Sequence, residues 1–159
     1  MPVAPDLVAV SRAFRERGAR FVVIGGMAVI AHNVIRTTED CDLLVPDDQT
    51  NDESVLAALE DLGATPRDSL PLTLERITGR EHLRLESPTA GVIDVMRGGR
   101  APLDFDTIDR NAQIVEFHGE SIRFAGLASL VALKRLAGRR RDLDDLEQLE
   151  LRHGPLPEA

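Results

Sequence analysis

Residues 21–45, FVVIGGMAVIAHNVIRTTEDCDLLV, constrain the fold of this chain more than any other segment. The segment begins as an apolar strand, turns at two glycines, continues as a short helix predicted over residues 27–35, and ends in a strand that carries Asp40 and Asp42. Because successive side chains of a strand point to opposite faces, these two carboxylates should project from one face, about 6 to 7 Å apart. The pattern predicts a mixed α/β fold with an acidic pair on one of its strands.

Two carboxylates on one face of a strand can share divalent cations. Mg²⁺ prefers oxygen ligands and is commonly bound by one or two carboxylates together with substrate phosphates, so the pair suits Mg²⁺ (or Mn²⁺). The four histidines show no i, i+4 pair, which argues against a zinc site. The sequence therefore favours metal-assisted phosphoryl chemistry.

Asp94 is the candidate for a third carboxylate in the same site. It is the one acid in the apolar strand GVIDVMRG, residues 91–98. Burial of an ionised carboxylate without a partner is unfavourable, so Asp94 should lie beside a cation. Two partners remain open: a metal shared with the first two aspartates, or a salt bridge to an arginine such as Arg84 or Arg97.

Gly25 and Gly26 lie where the first strand must bend into the helix. Glycine tolerates the backbone angles and the close approach that contact with a phosphate requires. The N-terminus of a helix also presents free N–H groups to an anion. The alternative interpretation is a tight connection that binds no ligand.

These elements, in this order, resemble the nucleotidyltransferase superfamily that includes DNA polymerase β. Residues 36–42, RTTEDCD, resemble the R-x-T-x-D-x-D signature of small prokaryotic members, which include AbiEii-type abortive-infection toxins and minimal nucleotidyltransferase antitoxins. Residues 127–149 resemble later AbiEii-type motifs, in which a lysine on one helix precedes a basic-Asp-x-x-Asp run that opens the next. The matching elements span most of residues 20–150.

The resemblance implies a nucleotidyltransferase fold and a role for each matching residue. Two Mg²⁺ ions would be held by the first two aspartates, and Asp94 would bind the ion on the attacking side and help to deprotonate the acceptor hydroxyl. The implied catalytic and metal-binding residues are Asp40, Asp42 and Asp94, and the implied nucleotide-binding residues are Gly25, Gly26, Arg36, Thr38, Lys134 and Asp142.

Four of these residues have competing structural explanations. Arg36 and Thr38 could hold the metal strand in register instead of contacting the triphosphate, and an arginine at a helix end complements the helix dipole. Lys134 borders an apolar helical stripe, where a lysine is usually a solvated flank. Asp142 follows a glycine-arginine break, and together with Asp145 it could be an N-cap with an acidic N3 residue.

The rest of the chain predicts a mixed β-sheet flanked by helices. Helices are expected over residues 6–17 and 51–62 and as a final pair, with hairpins over 81–97 and 113–124 and a short helix near 105–111. Residues 65–80 are either a mobile active-site loop or a connection, and residues 97–102 a flexible exit. We expect a nucleotidyltransferase core (1–125), a helical pair packed on it as one compact unit (126–153), and a tail (154–159).

Composition limits the choice of partners and compartment. The chain has 159 residues and a net charge of −8, which argues against general nucleic-acid binding through bulk electrostatics. Residues 134–141 nevertheless carry five basic side chains, which could meet phosphates or form a solvated, paired surface. The longest uncharged run, residues 21–35, is too short to span a bilayer, and the single cysteine fits a reducing compartment. A cytoplasmic location is expected.

We therefore expect an enzyme that moves a nucleoside monophosphate from an NTP such as ATP to an acceptor. By resemblance it would be a toxin-antitoxin or phage-defence component that acts on tRNA, with a cognate toxin or antitoxin as partner. The alternatives are a minimal antitoxin that modifies a partner protein, and a non-catalytic nucleotide-binding or partner-binding module of the same fold.

Overall fold

The computed structural model describes residues 3–79, 82–98 and 104–158. Most of the flexible exit predicted over residues 97–102 lies outside these ranges. Among the described residues, no helix combines the length and the apolar character needed to cross a membrane.

The described residues form seven helices and seven strands. The helices are α1 Leu7–Glu16, α2 Gly25–Ala31, α3 Gln49–Asp61, α4 Leu74–Thr78, α5 Phe105–Arg110, α6 Leu127–Ala137 and α7 Arg140–His153. The strands are β1 Val22–Ile24, β2 Asp40–Pro46, β3 Thr65–Pro66, β4 His82–Ser87, β5 Gly91–Gly98, β6 Gln113–Phe117 and β7 Glu120–Phe124.

These strands join in one mixed sheet, in the order β3-β4-β5-β2-β1-β7-β6. The central strand β2 is parallel to β5 and antiparallel to β1. The β4–β5 and β6–β7 pairs are the two hairpins that the sequence predicted. The mixed sheet with its helices confirms the predicted α/β fold class.

The strand register places charged side chains in one row across the sheet. Asp42 of β2 is paired with Asp94 of β5, which is paired in turn with Arg84 of β4. Residues paired on neighbouring strands project from the same face, and neighbouring strands lie about 4.8 Å apart. Asp94 therefore lies between Asp42 and Arg84 in this row.

Burial alternates along the acidic part of β2. Cys41 and Leu43 are fully buried, whereas Asp40 and Asp42 are only partly buried on the other face. Burial raises the pKa of the Cys41 thiol to about 12, so this residue packs as a small apolar side chain, as predicted.

The last two helices share the core of the sheet. Leu130 of α6 and Leu149 of α7 are fully buried in the main apolar cluster, and α6 contacts both α2 and α7. The division into residues 1–125, 126–153 and 154–159 stays a prediction.

Several element boundaries differ from the sequence-based expectation. Helix α2 ends at Ala31 instead of residue 35, because Asn33 adopts a left-handed conformation with φ of 69°. Helix α3 begins at Gln49, because Asp48 accepts a hydrogen bond from the Thr50 N–H and caps the helix. Residues 65–80 contain β3 and the short helix α4, so in the described part they form a structured connection.

Candidate active site

Three carboxylates converge on one face of the sheet. Asp40 and Asp42 come from β2 and Asp94 from β5, and one carboxylate oxygen of each lies within 4.8 Å of the others. The side chain of Asp94 is only 3% exposed, while that of Asp40 is 15% exposed. The period-two alternation of β2 and its parallel pairing with β5 together create this cluster, which we call the carboxylate triad.

Asp94 has two protein partners on β4. Arg84 donates from Nη1 to Asp94 Oδ2 at 3.0 Å, and His82 Nε2 lies 2.8 Å from Asp94 Oδ1. Arg97, the other arginine considered from the sequence, pairs instead with Asp47 and Asp52. Asp94 therefore forms a salt bridge to Arg84 and also lies close to Asp40 and Asp42.

The triad concentrates negative charge in a partly desolvated place. Burial, followed by the charges of Asp40 and Asp94, raises the pKa of Asp42 to about 7. The pKa of Asp40 is also raised, first by burial and then by Asp94, while Arg84 opposes the shift. Carboxylates in this situation are stabilised in their charged form by a bound cation.

The donor set fits a hard divalent cation. No N–H group of a described residue donates a hydrogen bond to either carboxylate oxygen of Asp42 or to Oδ1 of Asp40. These three oxygens have lone pairs available, and oxygen-only donors are those that Mg²⁺ and Mn²⁺ prefer.

The glycine turn lies directly against the triad. A Cβ atom on Gly25 would stand 1.9 Å from Asp42 Oδ2, and Gly25 has a φ of +69°, so only glycine fits this position. A Cβ on Gly26 would stand 2.8 Å from the Thr38 hydroxyl oxygen. The structure thus brings the turn, Thr38 and the metal strand together.

Arg36 and Thr38 are held by protein contacts beside the triad. The Thr38 hydroxyl donates to the Asp40 carbonyl oxygen at 3.2 Å. Arg36 Nη1 donates to both carboxylate oxygens of Asp145, at 2.7 and 2.6 Å. Arg36 therefore ties the loop before β2 to helix α7.

Lys134 is buried, so its interpretation as a solvated flank is wrong. Its side chain is 8% exposed, and its ammonium group lies 3.0 Å from Asp142 Oδ1 and 2.8 Å from Asp145 Oδ2. Lys134 is the only lysine of the chain. The carboxylates of these two aspartates, both on the next helix, supply the negative charges that a buried ammonium group requires.

Asp142 is the third residue of α7, and not the N-cap that one interpretation of the sequence gave. It accepts hydrogen bonds from the backbone N–H of Arg139 at 3.1 Å and from Arg139 Nε at 2.8 Å. Although burial alone would raise its pKa, the hydrogen bonds from Arg139 and Lys134 hold the pKa of Asp142 below its usual range.

Sequence reasoning missed the functions of two residues near the triad. Asp145 links Lys134 to Arg36, whereas its spacing from Asp142 had suggested only a helix cap. His82 contacts Asp94, and the available signal was its alternation with Arg84 on one face of β4.

A cavity of about 530 Å³ opens beside the triad, which is large enough for a nucleotide. The glycine turn, Asp40, Asp42 and Lys134 are among the residues that line it. Leu133, Leu136 and Ala137 of α6 form an apolar wall, and Arg84, Arg139 and Arg141 add positive charge.

No protein-family model matches this chain, and no curated protein matches it in sequence. Solved structures do match its fold. The lincosamide antibiotic adenylyltransferase LnuA, bound to lincomycin, aligns with a TM-score of 0.65 at 15% identity, over 94% of this chain and 98% of that one. ANT(2'')-Ia in complex with adenylyl-2''-tobramycin aligns with a TM-score of 0.64 at 14% identity, over 93% and 87% of the two chains.

A third similar structure is an antigenic nucleotidyltransferase-like protein from Paracoccidioides brasiliensis. Its TM-score is 0.63 at 16% identity, and the alignment covers 96% of this chain and 78% of that one. Identities of this size establish a common fold, and a closer relation to AbiEii-type proteins stays a prediction. The chain has the nucleotidyltransferase fold, with a triad of carboxylates on adjacent strands beside a cavity of about 530 Å³.

Proposed function

We propose that this protein is a Mg²⁺-dependent nucleotidyltransferase that moves a nucleoside monophosphate from an NTP such as ATP to an acceptor hydroxyl. The acceptor oxygen would bond to the α-phosphorus as the bond to the β-phosphate oxygen breaks, and pyrophosphate would leave. The observation that carries this proposal is the convergence of Asp40, Asp42 and Asp94 within 4.8 Å beside a nucleotide-sized cavity.

The triad residues have distinct proposed roles. Asp40 and Asp42 hold the divalent cation through oxygens to which no N–H group of a described residue donates a hydrogen bond. Asp94 lies on the acceptor side and takes the proton of the attacking hydroxyl. Bound Mg²⁺ supplies charge neutralisation at the phosphates and makes the acceptor hydroxyl more acidic.

Lys134 is proposed to bind a phosphate oxygen directly. An ammonium group has three N–H donors, and the carboxylates of Asp142 and Asp145 account for two of them. The third is available to the cavity that Lys134 lines. Asp142 and Arg36 then act by positioning this ammonium group and the loop before β2, and Gly25 and Gly26 allow the backbone to approach the phosphates.

For the acceptor we propose the end of a tRNA, in a toxin-antitoxin or phage-defence setting with a cognate partner protein in the cytoplasm. The supporting observation is the positive charge that Arg84, Arg139 and Arg141 bring to the cavity. Arg141 is exposed and makes no ion pair with any residue the structure describes, so it is available to a phosphate backbone. A partner protein is the alternative macromolecular acceptor.

A small-molecule acceptor is the second candidate, because one wall of the cavity is apolar. Leu136 is 61% exposed at this wall, next to Leu133 and Ala137. The similar structures include one bound to lincomycin and one in complex with an adenylylated tobramycin. An uncharged or weakly charged drug suits these leucines better than a polycation does, because arginines surround them.

Labelling experiments distinguish these acceptors. The purified protein is incubated with each α-³²P-labelled NTP and Mg²⁺, in separate reactions with total RNA, cell-protein extract and a panel of antibiotics. We expect a labelled band of tRNA size that is absent with Asp40→Ala. A labelled protein band or a labelled drug would identify the other acceptors, and tight NTP binding without any label would favour a non-catalytic module.

A further inference from the structure

Arg84 joins two members of the triad. It stands directly opposite Asp94 in the β4–β5 register, and its guanidinium donates to Asp94 Oδ2 at 3.0 Å and to Asp40 Oδ2 at 3.3 Å. The fork of the arginine therefore spans carboxylates that belong to two different strands. A divalent cation in the triad would use the negative charge of the same groups.

Among the residues the structure describes, Arg84 provides the only arginine or lysine nitrogen within 4 Å of a triad carboxylate. It offsets one of three negative charges, and His82 adds a hydrogen bond to Asp94 without a fixed charge. A positive charge at this distance must weaken the attraction of the triad for a second cation, because like charges repel strongly in a partly desolvated site.

Arg84 is also placed to pair with an anion bound in the cavity. Its side chain is 41% exposed and lines the same cavity as Lys134 and the glycine turn. A guanidinium fork pairs with phosphate oxygens as well as with carboxylates. A triphosphate in this cavity would offer Arg84 a new anionic partner while adding oxygen ligands for the metal.

We propose that Arg84 is an internal counter-cation that keeps the metal affinity of the triad low until a nucleoside triphosphate enters the cavity. Arg84 then couples the two binding events: the nucleotide draws the guanidinium away from Asp40 and Asp94, and the metal takes its place. Such coupling is reciprocal, so metal must strengthen nucleotide binding by the same factor. This inference rests on the proposed function, since it requires that the triad binds metal and the cavity binds an NTP.

The test measures Mn²⁺ binding to the full chain by electron paramagnetic resonance, with and without the non-hydrolysable analogue α,β-methylene ATP. Arg84→Met removes the charge and keeps much of the side-chain volume. Arg17→Met is the matched control, because Arg17 is an exposed, ion-paired arginine directly after α1 and its loss changes the net charge equally. Circular dichroism checks that each variant is folded.

We expect Arg84→Met to bind Mn²⁺ at least about tenfold more tightly than the wild type when no nucleotide is present. The nucleotide should then tighten Mn²⁺ binding much less in this variant than in the wild type. Arg84→Lys, which keeps the charge, and Arg17→Met should both stay within about threefold of the wild type. Arg84→Gln, which loses the charge but keeps an amide donor, should behave as Arg84→Met does and serves if the methionine variant does not fold.

If folded Arg84→Met and Arg84→Gln bind Mn²⁺ no more tightly than the wild type does, the inference is overturned. The proposed function would still stand in that case, provided that the wild type binds Mn²⁺ in the presence of the nucleotide. Failure of the wild type to bind Mn²⁺ even with the nucleotide would overturn both. The two failures are therefore distinguishable in one set of titrations.

Discussion

At the residue scale, the triad holds charge that the protein alone does not neutralise. Arg84 pairs with Asp94 and Asp40, but Asp42 has no ion pair with any of the described residues. In the metal-free protein, burial and the acidic neighbours therefore destabilise the ionised form of Asp42. This destabilisation raises the pKa of Asp42 to about 7.

The raised pKa of Asp42 predicts that the protein becomes more stable as the pH falls toward 6. With a raised pKa, the folded protein holds a proton on Asp42 between about pH 4 and pH 7 that the unfolded chain releases. In EDTA the free energy of unfolding should therefore rise by about 1 kcal/mol as the pH falls from about 8 to about 6. Asp42→Asn should remove this rise, while Asp144→Asn, on the exposed side of α7, should retain it.

Urea unfolding at the two pH values measures this difference. Because a bound metal requires the ionised carboxylate, saturating Mg²⁺ should also flatten the dependence in the wild type. The same pH dependence in the wild type and in Asp42→Asn would show that Asp42 is not the group responsible.

Gly25 gives a second prediction at the residue scale. Gly25 and Gly18 have the same φ of +69°, but a Cβ on Gly18 would meet no atom within 4 Å, whereas one on Gly25 would overlap Asp42 Oδ2. Gly18→Ala should cost about 1 to 2 kcal/mol of stability from backbone strain alone. Gly25→Ala should cost more and should also weaken Mn²⁺ binding, which Gly18→Ala should leave unchanged.

Chemical denaturation and Mn²⁺ titration of the two alanine variants separate strain from the clash. If both variants lose the same stability and bind Mn²⁺ equally well, the close approach of the turn to Asp42 has no role in the site.

At the scale of elements, one buried ion network joins α6, α7 and the loop before β2. Lys134 pairs with Asp142 and Asp145, and Asp145 pairs with Arg36. The network fixes the two final helices against the strand that carries the first two triad aspartates. It thereby connects the stability of the helical pair to the geometry of the cavity beside the triad.

Removal of Lys134 should therefore affect stability as well as binding. Lys134→Met leaves two buried carboxylates without their ammonium partner, which should cost about 3 to 5 kcal/mol and weaken NTP binding. Arg135→Met is the matched control on the same helix, because Arg135 is exposed and its side chain hydrogen-bonds, among the described residues, only to the Pro157 carbonyl oxygen. Its effect should stay within about 0.5 kcal/mol.

Thermal and urea unfolding of the two variants, with NTP titrations on the folded protein, measure these effects. A Lys134→Met protein as stable as Arg135→Met would contradict the network that the structure describes.

The sequence predicted the elements whose patterns are local. Strand alternation placed Asp40 and Asp42 on one face, and an acid in an apolar strand identified Asp94 as their neighbour. The burial of Lys134 could not be predicted in this way, because its counter-charges lie on the next helix and depend on how the two helices pack. Helix ends were also missed where a single backbone conformation decided them, as at Asn33.

At the scale of the whole molecule, the acidic net charge hides an uneven distribution. The chain carries −8 overall, yet Arg84, Arg139 and Arg141 line the cavity beside the triad. The acidic net charge disfavours non-specific binding of nucleic acid, while basic side chains in the cavity lining provide local partners for phosphate groups. This distribution agrees with the proposed binding of an NTP and an anionic acceptor.

The central claim is that the triad transfers a nucleoside monophosphate. Parallel reactions with α-³²P-labelled and γ-³²P-labelled NTP, the acceptor fraction and Mg²⁺ test it most directly. We predict that the acceptor gains label from the α position only, that the γ label leaves in pyrophosphate, and that both signals disappear in EDTA and in Asp40→Ala. Transfer of the γ label to the acceptor, or α-labelling that persists in folded Asp40→Ala, would contradict the account.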